Sequence, residues 1–270
     1  MIKKVLIANR GEIAVRIIRA CREMGIETVA VYSEADAEAL HTQLADEAVC
    51  IGPAPSKDSY LNMERILSAT IASGADAIHP GFGFLSENSK FAELCEKCNI
   101  AFIGPSAKTI EETGNKSEAR NAMVRAGIPV IPGTKEPIFT AEAGRKFADE
   151  IGYPVMIKAA LGGGGKGMRL SQTAEDFLEN FKVAQLEAIR GFGDDSMYIE
   201  KYIEEPKHIE FQILADKFGN VIQLGERDCS IQRNHQKVIE ESPSSVLDET
   251  LRKEMGAVAV RAAKAAAYEN

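Results

Sequence analysis

Residues 153–168 read YPVMIKAALGGGGKGM, a short apolar strand that ends on Lys158 and runs into four consecutive glycines. Glycine lets the backbone approach an anion closely and direct successive N–H groups at it, and a lysine at the strand end adds a point charge. The stretch therefore predicts a phosphate-binding loop. It is not a Walker P-loop, because Ala160 stands where that motif needs glycine and Gly167 where it needs Ser or Thr. A flexible turn between two strands is the alternative interpretation.

A small α/β unit surrounds this loop. Apolar residues at helical spacing predict helices over residues 141–151 and 174–189, and short apolar runs predict strands over 155–159, 168–171 and 197–200. Farther along, the pattern changes. Alternating residues on either side of a KFGN turn predict a hairpin in an antiparallel unit, with strands at 208–216 and 221–226 and an alanine-rich helix at 251–268.

The first hundred residues alternate strands with helical segments. The predicted strands cover residues 5–8, 28–32, 48–51, 77–79 and 101–103. This order predicts a parallel sheet with helices on both faces, and such sheets bind ligands at the carboxyl ends of their strands. The first strand–helix turn carries one glycine, Gly11, so the three-glycine fingerprint of a dinucleotide site is missing. The predicted division of the chain is 1–104 (parallel α/β), 105–130 (helical linker), 131–202 (α/β lid) and 203–270 (antiparallel body).

Composition narrows the class of protein. The formal net charge of -8 argues against broad nucleic-acid binding, which needs a basic surface. No run approaches the roughly 18 apolar residues of a membrane span. Five cysteines, an odd number, do not form a disulfide framework, so a reducing cytoplasm is predicted. Cys95 and Cys98 have a zinc-like spacing, but no second pair follows, and two half-buried helix cysteines are the preferred interpretation.

Four stretches together resemble a known family. They are IANRGEIA at 7–14, HPGFGFLSEN at 79–88, the glycine loop at 162–168 and ERDCSIQRNHQK at 226–237. In this order they resemble biotin carboxylase, the ATP-grasp component of acetyl-CoA, propionyl-CoA, pyruvate and related carboxylases. The resemblance covers essentially the whole chain. It implies an N-terminal parallel α/β pre-ATP-grasp domain, then an ATP-grasp lid and the start of the ATP-grasp body.

The same resemblance implies an activity and its partners. MgATP would phosphorylate bicarbonate, and the resulting carboxyphosphate would deliver CO₂ to biotin on a carrier protein. The implied ligands are ATP, Mg²⁺ and biotin, and the implied partners are a biotin carboxyl carrier protein, a carboxyltransferase subunit and a second copy of the chain. Neither nucleic acid nor membrane is an expected partner.

Individual residues are carried over from the resemblance. The predicted ATP-binding residues are Lys116, Lys158, Gly164, Gly165, Glu200, Lys201, Tyr202, Ile203, His208, Gln232 and His235. Lys237 matches a bicarbonate contact, and Phe82 and Gly83 match the biotin site. Phe82 stands where the family usually has tyrosine, and Lys166 replaces a common arginine, which keeps the charge and loses the bidentate fork.

The chain is expected to lack a complete catalytic set. In the family, the Mg²⁺ carboxylates, the base and the catalytic arginine belong to segments that match nothing up to Asn270. We therefore predict no metal ligands and no activity for residues 1–270 alone. Cys229 is expected to be a buried structural thiol rather than a nucleophile, since no base stands at a recognisable spacing.

Two other functions stay open at this stage. Another ATP-grasp ligase, such as a carbamoyl-phosphate synthetase-like component, would share the strand–lysine–glycine chemistry. A non-catalytic nucleotide-binding or assembly module is the alternative from a different class.

Overall fold

The computed structural model describes residues 2–114, 116–160, 167–233 and 236–269, without the side chains of residues 116–118 and 192. Two compact units make up the chain. The first comprises Met1–Ala119, Ile213–Ile222 and Ala263–Asn270, and the second comprises Arg120–Gln212 and Gln223–Ala262. No helix within the described ranges combines the length and apolar character that a membrane-spanning segment needs.

Helices and strands follow one another along the whole chain. The helices are α1 (Gly11–Glu23), α2 (Leu40–Leu44), α3 (Met63–Ser73), α4 (Ser89–Lys97), α5 (Ala107–Gly114), α6 (Lys116–Arg125), α7 (Ala141–Ile151), α8 (Ala174–Phe192) and α9 (Glu249–Ala265). The strands are β1 (Lys4–Ile7), β2 (Glu27–Ser33), β3 (Glu47–Gly52), β4 (Ala77–His79), β5 (Ala101–Phe102), β6 (Val155–Ala159), β7 (Met168–Ser171), β8 (Met197–Lys201), β9 (Ile209–Ala215), β10 (Val221–Arg233) and β11 (Gln236–Glu241).

The first unit is built on a five-stranded parallel sheet of order β3-β2-β1-β4-β5. Successive side chains of a strand point to opposite faces. Leu6 accordingly belongs to a core with Ile66 of α3 and Phe91 of α4, whereas Ile7 belongs to a second core with Ile18 of α1. Helices therefore cover both faces, which confirms the predicted parallel α/β architecture.

The second unit contains an antiparallel sheet of order β7-β6-β8. One face of this sheet is fully buried: Ile157 and Ile199 pack with Phe177 and Phe181 of α8. The other face is only half-buried, because alternate residues of β6 and β8 are partly accessible. The glycine-rich stretch predicted to bind phosphate joins β6 to β7. Lys158 is the second-last residue of β6, which is the central strand of the sheet.

A second antiparallel arrangement follows. β9, β10 and β11 form a sheet of order β11-β10-β9, with a turn in which the Asp216 N–H donates to the Asn220 carbonyl. The sequence predicted the hairpin but not β11. All six residues of β11 are exposed, so its sequence lacks the apolar alternation that marks a half-buried strand. Helix α9 begins and ends slightly earlier than its predicted span. The four-part division of the chain stays a prediction.

Candidate functional site

The half-buried face of the β7-β6-β8 sheet brings together two predicted ATP-binding residues. Lys158 lies opposite Tyr198, and Glu200 lies opposite Met156, so all four side chains share this face. The Lys158 ammonium forms an ion pair with the Glu200 carboxylate, and the two side chains are 33% and 23% exposed. The cation predicted for phosphate and the carboxylate predicted for adenine therefore neutralise each other.

Lys201, which follows Glu200, points away from this face. Its ammonium donates to the carbonyl oxygens of Gly152 (3.0 Å) and Tyr153 (2.7 Å), which ties β8 to the start of β6. Alternation along β8 directs this side chain to the other side of the sheet from Lys158, and the assignment of Lys201 to the ATP site stays a prediction.

The next two residues of the predicted adenine segment differ in their surroundings. The Tyr202 N–H donates to the Pro154 carbonyl at 3.1 Å, so this backbone group already has a partner within the unit. The Ile203 side chain is exposed. Of the four consecutive residues predicted here, Glu200 is the one whose side chain lies beside Lys158.

Two neighbours of Lys158 were not predicted as site residues. Met168 lies directly opposite Lys158 on β7, and Tyr198 lies opposite it on β8. The Tyr198 hydroxyl is buried and has no hydrogen-bond partner in the described part of the chain, and burial raises its pKa. A thioether and a phenol ring beside an ammonium suit a ligand with an aromatic base and a negative charge. The signal in the sequence was the two-residue alternation of β6 and its neighbours.

The structure does not describe all of the predicted site residues. Gly164, Gly165 and His235 are outside the described residues, as is Lys166, and the Lys116 side chain is likewise outside them. The glycine run is described again from Gly167, whose φ of +68° is a conformation that favours glycine. The Gly167 N–H donates to Glu187 of α8 at 3.3 Å, and Glu187 also forms an ion pair with Arg169.

Three other predicted residues are Gln232 on β10, Lys237 on β11 and His208 just before β9. The Gln232 amide is 2.7 Å from Nδ1 of His208 and also donates to the Cys229 carbonyl at 2.9 Å. The His208 N–H donates to the Ser230 hydroxyl at 3.0 Å. The structure therefore brings together His208 and Gln232, which the resemblance assigned to the nucleotide and active sites.

Lys237, the predicted bicarbonate contact, is held by a carboxylate. Glu210 accepts from Lys237 and, at 2.7 Å, from Nε of Arg227, while Glu240 lies 3.9 Å from Lys237. The hydrogen bond from Lys237 is the main cause that lowers the pKa of Glu210, and the same bond raises the pKa of Lys237. Glu210 thus holds the ammonium in a fixed direction.

One group of side chains in this region has the composition of a metal site. The potential ligand atoms of Glu210, Cys229 and Glu240 lie within 4.8 Å of one another. However, Arg227 and Lys237 form ion pairs with both carboxylates. A cation would have to displace these two positive charges, so the group is better explained as an ion-pair network.

Cys229 itself is buried at the base of this network. Its thiol is fully inaccessible, and burial is the main cause that raises its pKa above the ordinary value. Because the thiolate is the nucleophile, a raised pKa and a buried sulfur both reduce reactivity. The structure agrees with the expectation of a structural thiol.

We predict that iodoacetamide alkylates Cys50 and Cys98 in the native chain well before Cys229. Both reactive positions are exposed, whereas Cys21, Cys95 and Cys229 are buried, and burial raises the pKa of Cys95 to about 12. Peptide mass spectrometry over a time course measures the order. Modification of Cys229 as early as Cys50 would restore the nucleophile hypothesis.

The predicted biotin residues lie in the first unit. Phe82 and Gly83 follow β4 in a loop at the carboxyl edge of the parallel sheet, and the Phe82 ring is 61% exposed. A cavity of about 380 Å³ is lined by residues 9–13 and 82–84. An exposed aromatic ring at the mouth of a cavity fits the face of an apolar ligand.

Comparisons with known proteins agree with the arrangement of motifs. The model of the biotin carboxylase N-terminal domain matches residues 1–110, and that of the carbamoyl-phosphate synthase L chain ATP binding domain matches residues 115–270. Biotin carboxylase 1 of Bacillus subtilis is 60% identical over 268 residues, which are 99% of this chain and 60% of that protein. The 2-oxoglutarate carboxylase small subunit of Hydrogenobacter thermophilus is 52% identical over 268 residues, which are 99% of this chain and 57% of that protein.

Solved structures are also similar. A biotin carboxylase–beta-gamma-ATP complex from Campylobacter jejuni has a TM-score of 0.92 and 53% identity, covering 100% of this chain and 60% of that one. The biotin carboxylase domain dimer of Hydrogenobacter thermophilus 2-oxoglutarate carboxylase, in complex with MgADP, ADP and bicarbonate, has a TM-score of 0.89 and 52% identity, covering 100% and 59%. The chain spans about 60% of the length of the first curated relative it matches. The N-terminal domain match separates it from other ATP-grasp ligases, and the resemblance seen in the sequence is confirmed: the chain belongs to the biotin carboxylase family.

Proposed function

We propose that this chain supplies the nucleotide-binding part of an enzyme that uses ATP to activate bicarbonate and carboxylate biotin on a carrier protein. The observation that carries the proposal is the half-buried face of the β7-β6-β8 sheet, where Lys158, Glu200, Met168 and Tyr198 lie together. The two similar structures that hold ATP- or ADP-type ligands support it. The ammonium suits a phosphate group, and the apolar neighbours suit an adenine ring.

The proposed chemistry is the transfer of a phosphoryl group to bicarbonate. Such a transfer depends on positioning and on neutralising the charge of the triphosphate. In the proposal Lys158 is released from Glu200 to contact phosphate, and Lys237, oriented by Glu210, contacts bicarbonate. His208 and Gln232 supply polar contacts beside them. Phe82 and Gly83 are proposed to contact biotin.

When bound, Mg²⁺ would offset the charge of the phosphates in such a transfer. It binds oxygen ligands, mainly carboxylates and waters. The only group of three potential ligands found in the described part of the chain includes the Cys229 thiol and two carboxylates already paired with cations. That group does not suit Mg²⁺, so no step of the proposal uses it.

The proposed partners follow from the chemistry and from the relatives. A carrier protein or domain would present biotin, and a carboxyltransferase would consume the carboxylated product. The name of the Hydrogenobacter relative, a carboxylase small subunit, fits a chain that works beside other subunits. A homodimer is supported by the dimer of the Hydrogenobacter domain. We propose a reducing compartment such as the cytoplasm, since Cys21, Cys50, Cys95, Cys98 and Cys229 are all free.

The test is an assay of bicarbonate-dependent ADP release stimulated by free biotin. We would measure it on residues 1–270 and on a fusion of these residues to the remaining part of the Bacillus subtilis relative. The expected result is biotin-stimulated turnover by the fusion and little by residues 1–270, because the family's metal carboxylates, base and arginine come with the added segment. A fusion that hydrolyses ATP equally with and without bicarbonate and biotin would contradict the proposal.

A further inference from the structure

The carboxyl edge of the parallel sheet has its topological switch between β1 and β4. The chain leaves β1 toward β2 on one side, while β4 lies on the other side of β1. In open parallel sheets ligands bind in the crevice at this point. Asn9 lies two residues after the end of β1, is 3% exposed and lines the 380 Å³ cavity that opens here.

Both polar atoms of the Asn9 side-chain amide form hydrogen bonds at the crevice. Its Nδ2 donates to the carbonyl of Pro80 at 2.7 Å and to the carbonyl of Phe82 at 2.8 Å, and its Oδ1 accepts from the Arg10 N–H at 2.9 Å. A Cβ at Gly81 would lie 2.7 Å from this Nδ2, and Gly81 has a φ of +64°, so a larger residue would break the approach. The loop after β4 is therefore fastened to the end of β1.

Phe84 fastens the other end of the same loop. Its φ of +42° is unusual for a bulky residue and needs support from the surroundings. The ring stacks on Tyr60 with centroids 5.0 Å apart, and the Arg10 guanidinium lies 5.4 Å and 5.7 Å from the two ring centroids. Asp36 accepts from the Tyr60 hydroxyl at 2.7 Å and pairs with Arg10 at 3.2 Å, which fixes both partners.

Between these two anchors the Phe82 side chain is left exposed. Exposing a large ring between two anchors, one of which is the strained Phe84, offers no gain in stability, and such strain is typical of binding sites. We infer that Asn9 is a positioning residue, which holds the Phe82 and Gly83 backbone so that the Phe82 ring forms a fixed apolar wall for biotin. This inference rests on the proposed function, and Asn9 acts only through the Pro80 and Phe82 carbonyls.

The test introduces one tryptophan into the whole chain as a fluorophore. The sequence contains no tryptophan, so Phe82→Trp places a single one on the loop. In this background we would compare Asn9→Ala with Asn62→Ala, which removes a helix N-cap bond to Arg65 in the same unit and serves as the matched control. The measurements are the melting temperature, the fluorescence anisotropy of the tryptophan, hydrogen exchange of residues 81–85 and titration with free biotin.

Asn9→Ala is expected to lower the anisotropy, to speed exchange of the loop amides by about tenfold and to weaken biotin binding by about tenfold. Asn62→Ala should lower the melting temperature alone. If Asn9→Ala does not fold, Asn9→Ser takes its place, because serine retains one donor. It should change the anisotropy, the exchange and the biotin binding in the same direction but by less.

Unchanged anisotropy and exchange in Asn9→Ala, or equal changes in the control, would overturn the inference. If the Phe82→Trp parent gives no biotin response although its loop loses order in Asn9→Ala, the positioning role stands and the biotin assignment of the proposed function fails.

Discussion

Replacing Lys158 by alanine is expected to weaken ATP binding by about 10- to 150-fold, equivalent to about 1.5–3 kcal/mol. The strand end holds the ammonium on the face where Met168 and Tyr198 provide a surface for a base. Removing it leaves the phosphate without one charge-assisted contact. Calorimetric titration with ATP, on the fusion to the Bacillus subtilis remainder, measures the change.

The ion pair with Glu200 makes a double-mutant cycle informative. Lys158→Ala also leaves Glu200 without its partner, so part of the loss comes from an uncompensated carboxylate in a site for an anionic ligand. Glu200→Gln removes that repulsion, and the double variant should bind ATP somewhat better than Lys158→Ala alone. Lys97→Ala is the control, because Lys97 forms a comparable ion pair with Glu93 on the exposed side of α4. Equal affinities for Lys158→Ala and Lys97→Ala would contradict the phosphate assignment.

The sequence predicted the architecture around Lys158 well, for a physical reason. The strand from Val155 and the helices on either side have strong apolar periodicity, and their bounds agree closely with β6, α7 and α8. The face of the sheet to which each side chain points was not predicted. The resemblance assigns Glu200 and Lys201 to one ATP-binding segment, but adjacent residues of a strand direct their side chains to opposite faces.

Cross-strand partners could not be read from the sequence. Lys237 on β11 reaches Glu210 on β9 across the strand between them, β10. The pairing of β10 with β11 also shifts in register near Asp228 and Ile231. Local sequence does not specify such a shift, because β11 is exposed on both faces and neither register would bury more apolar surface. The hydrogen bonds of Asn9 could likewise not be predicted from the sequence. They depend on β1 and β4 being neighbours, although about seventy residues separate Asn9 from Pro80.

Loss of the Arg252 charge is expected to destabilise the second unit more than loss of the Glu226 charge. Glu226 on β10 is 2% exposed and accepts from Nε of Arg252 at 2.8 Å and from the Ser244 N–H at 3.1 Å. Arg252→Met would leave a buried carboxylate without its cation, which is the costly way to break such a pair. Glu226→Gln would leave an arginine that still reaches solvent, since 24% of its side chain is exposed.

The expected drop in melting temperature at pH 7 is about 5 °C or more for Arg252→Met, and clearly less for Glu226→Gln. Lys253→Met is the control on the same helix, because Lys253 is exposed and lies 3.9 Å from Glu249. Thermal unfolding followed by circular dichroism measures all three. Equal losses for Arg252→Met and Lys253→Met would show that the pair contributes nothing to stability.

The pH dependence gives this prediction a definite sign. The hydrogen bond from Arg252 is the main cause that holds the pKa of Glu226 below its ordinary value. A lowered folded pKa contributes stability above the unfolded value of about 4.3, and this stability is lost as the pH falls through the folded pKa. In Arg252→Met the burial of Glu226 would instead raise its pKa, so ionisation would oppose folding as the pH rises. The difference in melting temperature between the unsubstituted chain and Arg252→Met should therefore be smaller at pH 4 than at pH 7. A difference that is constant across this range would mean that Arg252 stabilises the unit by packing and not by charge.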